Sequence, residues 1–216
     1  YLSDEAKEQV EKAIREKALT LAIPVYEATG NEGSWAKRET NWNVVCNTGM
    51  TLGALAIAEK DPALAEKIIS YSARFVPNCL KHYAPDGVCY EGPGYWNYTN
   101  VYLSLLLKSL NDNIGHDFEI SSLSGVDKTV SYYVQSMSPI MREFNFANSG
   151  RGGSSASPLF FYFGDKFNQP EVINHYRNVL TDIVEGERNH SKWHFFLSVA
   201  WYQPAAGTKE ATFPPL

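Results

Sequence analysis

The chain has 216 residues, which suits one domain with a sizeable core or part of a larger protein. Its formal net charge of −5 argues against general nucleic-acid binding, which needs a basic face, but leaves an anionic sugar possible as a partner. No apolar run has the length of a membrane span, and the cysteines, Cys46, Cys79 and Cys89, lack metal-ligand spacing, so we expect no membrane span, metal or cofactor.

Helical patterns of two kinds alternate along the chain. Residues 4–29 carry one apolar stripe among charged side chains, which predicts an amphipathic helix, whereas residues 44–58 are apolar nearly all round. The Asp61-Pro62 pair then predicts the start of a second striped helix, because Asp is a preferred N-cap residue and Pro is favoured in the first turn. The first stripe consists of Val10, Ile14, Ala18, Leu21 and Val25.

Three further pairs follow, each made of a striped segment and then an apolar one. The striped segments are 62–75, 126–137 and 172–183, and the apolar segments that follow them are 101–110, 159–163 and 193–201. A striped helix has one face in water, whereas an apolar helix is covered on every side. Four such pairs predict an all-α fold in two concentric layers, an incomplete α/α toroid of helical hairpins over residues 1–203, followed by a tail at 204–216. A plain helical bundle is the alternative. The layers place Leu52, Leu55, Leu105, Leu106, Phe160 and Phe196 in the core and Lys12, Glu66 and Lys128 in solvent.

The connections from outer to inner helices are long loops, at 30–43, 84–97, 138–155 and 185–192. If the pairs are antiparallel, these loops share one end of the helices, where helix N-termini favour an anion. Aromatic rings and amides clustered in such loops are typical of a carbohydrate site. The residues that we expect to bind substrate there are Trp35, Trp42, Asn43, Glu91, Trp96, Tyr98, Arg151 and His190.

Three segments, 41–50, 91–98 and 144–151, resemble motifs of the heparinase II/III-like polysaccharide lyases, including their alginate-lyase relatives. The resemblance implies an incomplete α/α toroid joined to a following β-sandwich, and cleavage of uronic-acid polysaccharides by β-elimination. It also implies that this chain is the toroid portion of a periplasmic or secreted enzyme, and that the missing β-sandwich carries a further catalytic histidine. The expected partners are an acidic polysaccharide and that β-sandwich domain.

In the family, an Asn or His at the position of Asn41 neutralises the substrate carboxylate, and a tyrosine matched here by Tyr95 transfers the proton. The chemistry suits these side chains, because an amide donor stabilises the enolate formed when the C5 proton leaves. A phenol can serve as the base and return the proton to the leaving oxygen. Asn43 and Tyr98 are the rival positions for the two roles.

Two other classes of function stay open from the sequence. An α/α-barrel glycoside hydrolase would need two carboxylates across a cleft, for which Asp86, Glu91 and Asp165 are available. Asp165 follows an inner helix and therefore falls at the opposite end from the loops. A glycan-binding module that has aromatic side chains but no chemistry is the third interpretation.

Overall fold

The computed structural model describes residues 2–30, 34–138, 142–150, 157–187 and 193–204. Over these ranges the chain is helical, apart from turns and an isolated antiparallel bridge between Met137 and Glu143, so the predicted all-α class is confirmed. Among the described helices, none has the length and apolar character needed to cross a membrane. The chain forms two compact units: a first unit of Tyr1–Lys81 and Leu105–Ser121, and a second unit of His82–Ser104 and Ser122–Leu216.

The first unit contains α1 (Asp4–Ile14), α2 (Thr20–Glu27), α3 (Asn41–Ile57), α4 (Pro62–Phe75) and α5 (Pro77–Leu80). The predicted start of α4 is confirmed, since the Leu64 N–H donates to the Asp61 carboxylate at 3.3 Å and Pro62 is the first helical residue. α3 packs chiefly against α4. The long helix α6 (Pro93–Ile114) contributes its later residues to this unit and its first turns to the second.

A π-helical segment, Arg15–Leu19, joins α1 to α2 and changes which side chains are buried. The Thr20 N–H donates to the carbonyl of Arg15, five residues back, so one extra residue fits into the turn and the helical register shifts. The buried positions after the shift are Leu19, Ala22 and Tyr26, whereas Leu21 of the predicted stripe is 62% exposed. The predicted stripe is therefore wrong by one position at Ala18, Leu21 and Val25, and its first member, Val10 in α1, is 49% exposed.

The buried face of α3 is largely polar, which the apolar pattern of its sequence did not indicate. Asn43, Asn47 and Thr51 follow one another at four-residue intervals and are all buried. Leu52 and Leu55, predicted to be core residues, are only half-buried, because they lie on another side of the helix. The predicted burial of these two leucines is thus wrong in degree.

The second unit contains the start of α6, α7 (Thr129–Gln135), α8 (Leu159–Lys166), α9 (Pro170–Val184) and α10 (Leu197–Ala200). Its core is a continuous series of aromatic rings from Trp96 through Tyr133 and Phe160 to Tyr176. The first pair stacks at 4.0 Å between ring centroids and the last at 5.6 Å. All four rings are buried, which contributes much of the apolar area that holds this unit together.

Several predicted burials can be compared directly with the structure. Leu106 and Phe160 are buried as predicted, and Leu105 is half-buried. Phe196 is 63% exposed, so its predicted burial is wrong. The reason is that 193–201 is a 3₁₀ turn followed by the four-residue α10, which turns His194 and Leu197 inward and Phe196 outward. The side chains predicted to be in solvent, Lys12, Glu66 and Lys128, are exposed.

Candidate functional site

The first candidate residue, Asn41, begins α3 in the first unit. Thr40, with extended backbone angles of φ −106° and ψ 173°, occupies the N-cap position, so Asn41 is the first helical residue. Its side chain is only 5% exposed, whereas the neighbouring Trp42 is 54% exposed. Within the first turn, therefore, the amide is largely covered and the indole presents an open face.

Asn43 has a structural role that the sequence did not indicate. Its amide nitrogen donates to the carbonyl of Ala36 at 2.9 Å and to that of Phe75 at 3.0 Å, which ties the loop before α3 to the end of α4. The side chain is fully buried, and its Oδ1 has no hydrogen-bond partner among the described residues. Because its amide nitrogen already donates to two backbone carbonyls, Asn43 has no donor left for a substrate carboxylate in the described conformation.

Asn47, one turn further along α3, was not among the predicted residues and completes this network. Its amide nitrogen donates to the carbonyls of Ala36 at 3.2 Å and Asn43 at 2.8 Å, and its Oδ1 accepts from the Tyr26 hydroxyl at 2.8 Å. Burial raises the pKa of Tyr26, which keeps its phenol protonated as the donor. The four-residue spacing of Asn43 and Asn47 is the signal that sequence reasoning could have used.

The same network supports Trp35, a predicted sugar-stacking residue. The Trp35 ring lies edge-on to Tyr26, with ring centroids 5.2 Å apart, and is half-buried. Because Asn43 and Asn47 both hold the carbonyl of Ala36, the loop that carries Trp35 is fixed to α3. Trp35 is thus a partly covered aromatic residue on an anchored loop.

The second candidate residue, Tyr95, lies in the first turn of α6, in the second unit. The turn before it is closely packed: Gly92 has φ +89°, and a Cβ there would lie 2.5 Å from the carbonyl oxygen of Phe146. The Gly94 N–H donates to Ser149 Oγ at 2.8 Å. The structure therefore brings together two of the three segments on which the family resemblance rests, 91–98 and 144–150.

The aromatic side chains at the start of α6 separate into buried and exposed positions. Trp96 is fully buried, donates from its indole nitrogen to Thr129 Oγ1 at 2.7 Å and stacks on Tyr133. Tyr95 is 36% exposed, and Tyr98, three residues further on, is similarly exposed. The sequence predicts that Trp96 binds substrate, but Trp96 is a core residue with no ring face left for a sugar.

The remaining predicted residues are placed as follows. Glu91 is half-buried just before α6, whereas Arg151 and His190 lie outside the described residues. Of the acids available to a hydrolase, Asp86 is half-buried and Asp165 is exposed in the last turn of α8.

The cysteines Cys46, Cys79 and Cys89 are free thiols. Burial raises the pKa of the Cys89 thiol to about 12. Cys89 therefore stays a protonated thiol at neutral pH, which makes it a poor nucleophile.

Two cavities lie among the described residues of the second unit, and one of them is lined in part by Phe144 and Asn145 of the motif segment 144–151. One, of about 450 Å³, lies among residues 135–138 and 142–145, and the other, of about 690 Å³, lies between α9 and α10. The first adjoins Glu143, whose Oε1 accepts from the buried Tyr133 hydroxyl at 2.6 Å. That hydrogen bond connects Glu143, in the cavity wall, to Tyr133, whose ring stacks on Trp96 in the aromatic core.

No protein-family model matches this chain, and no curated protein is similar to it in sequence. The family resemblance consequently rests on the three motif segments themselves. Asn41 belongs to the first unit and Tyr95 to the second, and the expected position of their loops at one end of the helices stays a prediction.

Proposed function

We propose that this protein takes part in the cleavage of a uronic-acid polysaccharide by β-elimination, with Tyr95 as the proton-transfer residue. The observation that carries the proposal is the setting of Tyr95, which is exposed on a turn fixed by core contacts. The neighbouring Trp96 is buried in the core, where its indole donates to Thr129. The Tyr95 carbonyl accepts from Thr99 Oγ1 at 2.7 Å. Within the described part of the chain, the Tyr95 hydroxyl has no hydrogen-bond partner, so it is available to a substrate.

The reaction requires a base that removes the C5 proton of a uronate and an acid that protonates the leaving glycosidic oxygen. A single phenol meets both needs in sequence, since it accepts the first proton as phenolate and returns it as phenol. No water is added in this reaction, and the glycosidic C–O bond breaks as the C4–C5 double bond forms. The fixed turn and the exposure of Tyr95 support this proposal, because proton transfer depends on a catalytic group held in position.

Asn41 is the residue that we propose to neutralise the uronate carboxylate, and because it is only 5% exposed, this role requires substrate binding to uncover its amide. It begins a helix of 17 residues, where backbone N–H groups lack intrahelical partners and the helix dipole favours an anion. An amide donor at that end stabilises the charge that develops on the carboxylate in the enolate-like transition state. Trp42, the exposed neighbour, supplies a flat ring for a sugar face.

The wider assignment follows from the same resemblance. We propose that the helices form an incomplete α/α toroid, that the complete enzyme includes a β-sandwich, and that it acts in the periplasm or outside the cell. The exposure of Trp42 also favours a second candidate, a glycan-binding module without catalysis, because an open indole is a common sugar platform.

A product assay on the full-length protein separates these functions. The protein is incubated with a panel of acidic glycans, and the products are followed by ultraviolet absorbance and by reducing ends. A lyase yields unsaturated uronides that absorb in the ultraviolet, whereas a hydrolase yields reducing ends without that absorbance and a binding module yields neither. Turnover of any uronate polymer with new ultraviolet absorbance supports the proposal, and its absence across the panel contradicts it.

Asn41→Ala gives the corresponding test of the first unit. We expect a loss of turnover of about 10²–10³-fold, the usual cost of removing one charge-stabilising donor. A variant with wild-type turnover would show that the carboxylate is neutralised by another group.

A further inference from the structure

Ser149 lies in the segment 142–150, yet its hydroxyl group serves the start of α6. Its Oγ accepts the Gly94 N–H at 2.8 Å, across 55 residues of sequence. Gly94 is the second residue of α6, and the first N–H groups of a helix have no partner within the helix. Pro93 has no N–H to satisfy. Ser149 therefore acts as a helix cap supplied by a distant segment.

The contact between the two segments leaves no free space. At Gly92, whose φ is +89°, an added Cβ would lie 2.6 Å from Ser149 Oγ and 2.5 Å from the carbonyl oxygen of Phe146. Only glycine adopts this backbone conformation without strain and also fits beneath these atoms. The turn that leads directly into Tyr95 is thus held closely against 146–149.

The segment that carries Ser149 is itself fixed to a helix. The Ser149 N–H donates to the Phe146 carbonyl at 3.1 Å, the Phe146 N–H to the Phe144 carbonyl at 3.0 Å, and the Phe144 N–H to the Ser136 carbonyl at 3.0 Å. Ser136 is the C-cap residue of α7, whose Tyr133 stacks on Trp96. The turn of Tyr95 is therefore connected to α7 twice, through Trp96 on one side and through Ser149 on the other.

We propose that Ser149 is a positioning residue for Tyr95, which fixes the first turn of α6 so that the phenol stays at the distance needed for proton transfer. This inference rests on the proposed function of Tyr95. Ser149 acts through the backbone of the turn and contacts no reacting atom itself. A small displacement of a catalytic group can cost about 10²-fold in rate, so the role should be visible in turnover rather than in binding.

The test compares Ser149→Ala with Ser149→Thr in the full-length protein, on whichever uronate polymer the wild type cleaves. We expect Ser149→Ala to lower kcat by roughly 10- to 100-fold while KM and the Kd for an oligouronate change by less than about 3-fold. Ser149→Thr keeps the hydroxyl and should retain most of the wild-type kcat. Hydrogen exchange at the Gly94 amide should become faster in Ser149→Ala and stay slow in Ser149→Thr.

Ser3→Ala is a matched control, because it also removes a serine hydroxyl that accepts a backbone N–H at the start of a helix, that of Ala6 in α1 at 3.3 Å. This variant should keep both wild-type kcat and slow exchange at Gly94. If the wild type is active and Ser149→Ala has unchanged kcat, or loses activity with unchanged exchange at Gly94, the positioning role is overturned while the proposed function stands. A wild type that forms no unsaturated product overturns the proposed function and the positioning role with it.

Discussion

Replacing Trp96 by phenylalanine should lower the free energy of unfolding by about 2–3 kcal/mol, whereas the same change at Trp42 should alter it by about 0.5 kcal/mol or less. The two tryptophans each follow a candidate catalytic residue, and the sequence alone assigned both to sugar stacking. The structure separates them, since Trp96 is fully buried and Trp42 is 54% exposed.

The magnitude for Trp96 has two sources. The variant loses the indole hydrogen bond to Thr129, worth about 1 kcal/mol net. It also leaves a cavity beside Tyr133 that costs a further 1–2 kcal/mol, roughly, because the surrounding rings relax only in part. The Trp42 indole has no hydrogen bond to lose within the described residues and borders solvent, so neither cost applies there.

Urea unfolding of the full-length protein, followed by far-ultraviolet circular dichroism, measures both free energies. Oligouronate binding supplies the opposite comparison, because Trp42→Ala should weaken it and Trp96→Phe should leave it unchanged. Equal losses of stability in the two phenylalanine variants, or weaker binding in Trp96→Phe alone, would refute the division into a core ring and a surface ring.

Three further outcomes are expected. Tyr95→Phe should lose about 10²–10⁴-fold in turnover, with little change in oligouronate binding or melting temperature. Wild-type turnover in Tyr95→Phe together with no turnover in Tyr98→Phe would assign the proton transfer to Tyr98 instead. Asn47→Ala should lower the free energy of unfolding in urea by about 3 kcal/mol, because it leaves buried hydrogen-bond partners unsatisfied. The control Asn113→Ala, at an exposed position, should lower it by under about 1 kcal/mol, and equal losses would contradict the network. Burial raises the pKa of Tyr176 to about 12, so the stability that its protonated phenol contributes is fully present below about pH 10 and is lost as the pH rises toward 12. In Tyr176→Phe the urea midpoint should therefore fall less at alkaline pH than in the wild type, and an equal fall would exclude Tyr176 as the source.

Local signals in the sequence predicted the helices well where the chemistry is short-range. Asp61 and Pro62 identify the start of α4 because capping depends on residues within one turn. The π segment at Arg15–Leu19 has no such signal, and its extra residue moves every later side chain of that helix by one position. A single local irregularity was enough to make Leu21 an exposed residue.

Tertiary context decided the rest. On α3 five of the eight buried side chains are amides or hydroxyls. Two of them, Asn43 and Asn47, satisfy the carbonyl of Ala36, and an apolarity pattern cannot detect that demand. Likewise, Tyr95 and Trp96 are adjacent in the same motif, so the sequence alone does not indicate which of the two side chains is exposed. Trp96 is the buried one because its indole donates to Thr129 and stacks on Tyr133, which both lie more than thirty residues further along the chain.

The masses of the products distinguish cleavage by elimination from hydrolysis. A purified oligouronate is digested with the full-length protein, and the two fragments from one cleavage are weighed by mass spectrometry. Elimination adds no water, so we expect the masses of the two fragments to sum to the mass of the substrate, with the unsaturated end on one fragment. Fragment masses that sum to the substrate plus one water would show hydrolysis and rule out elimination.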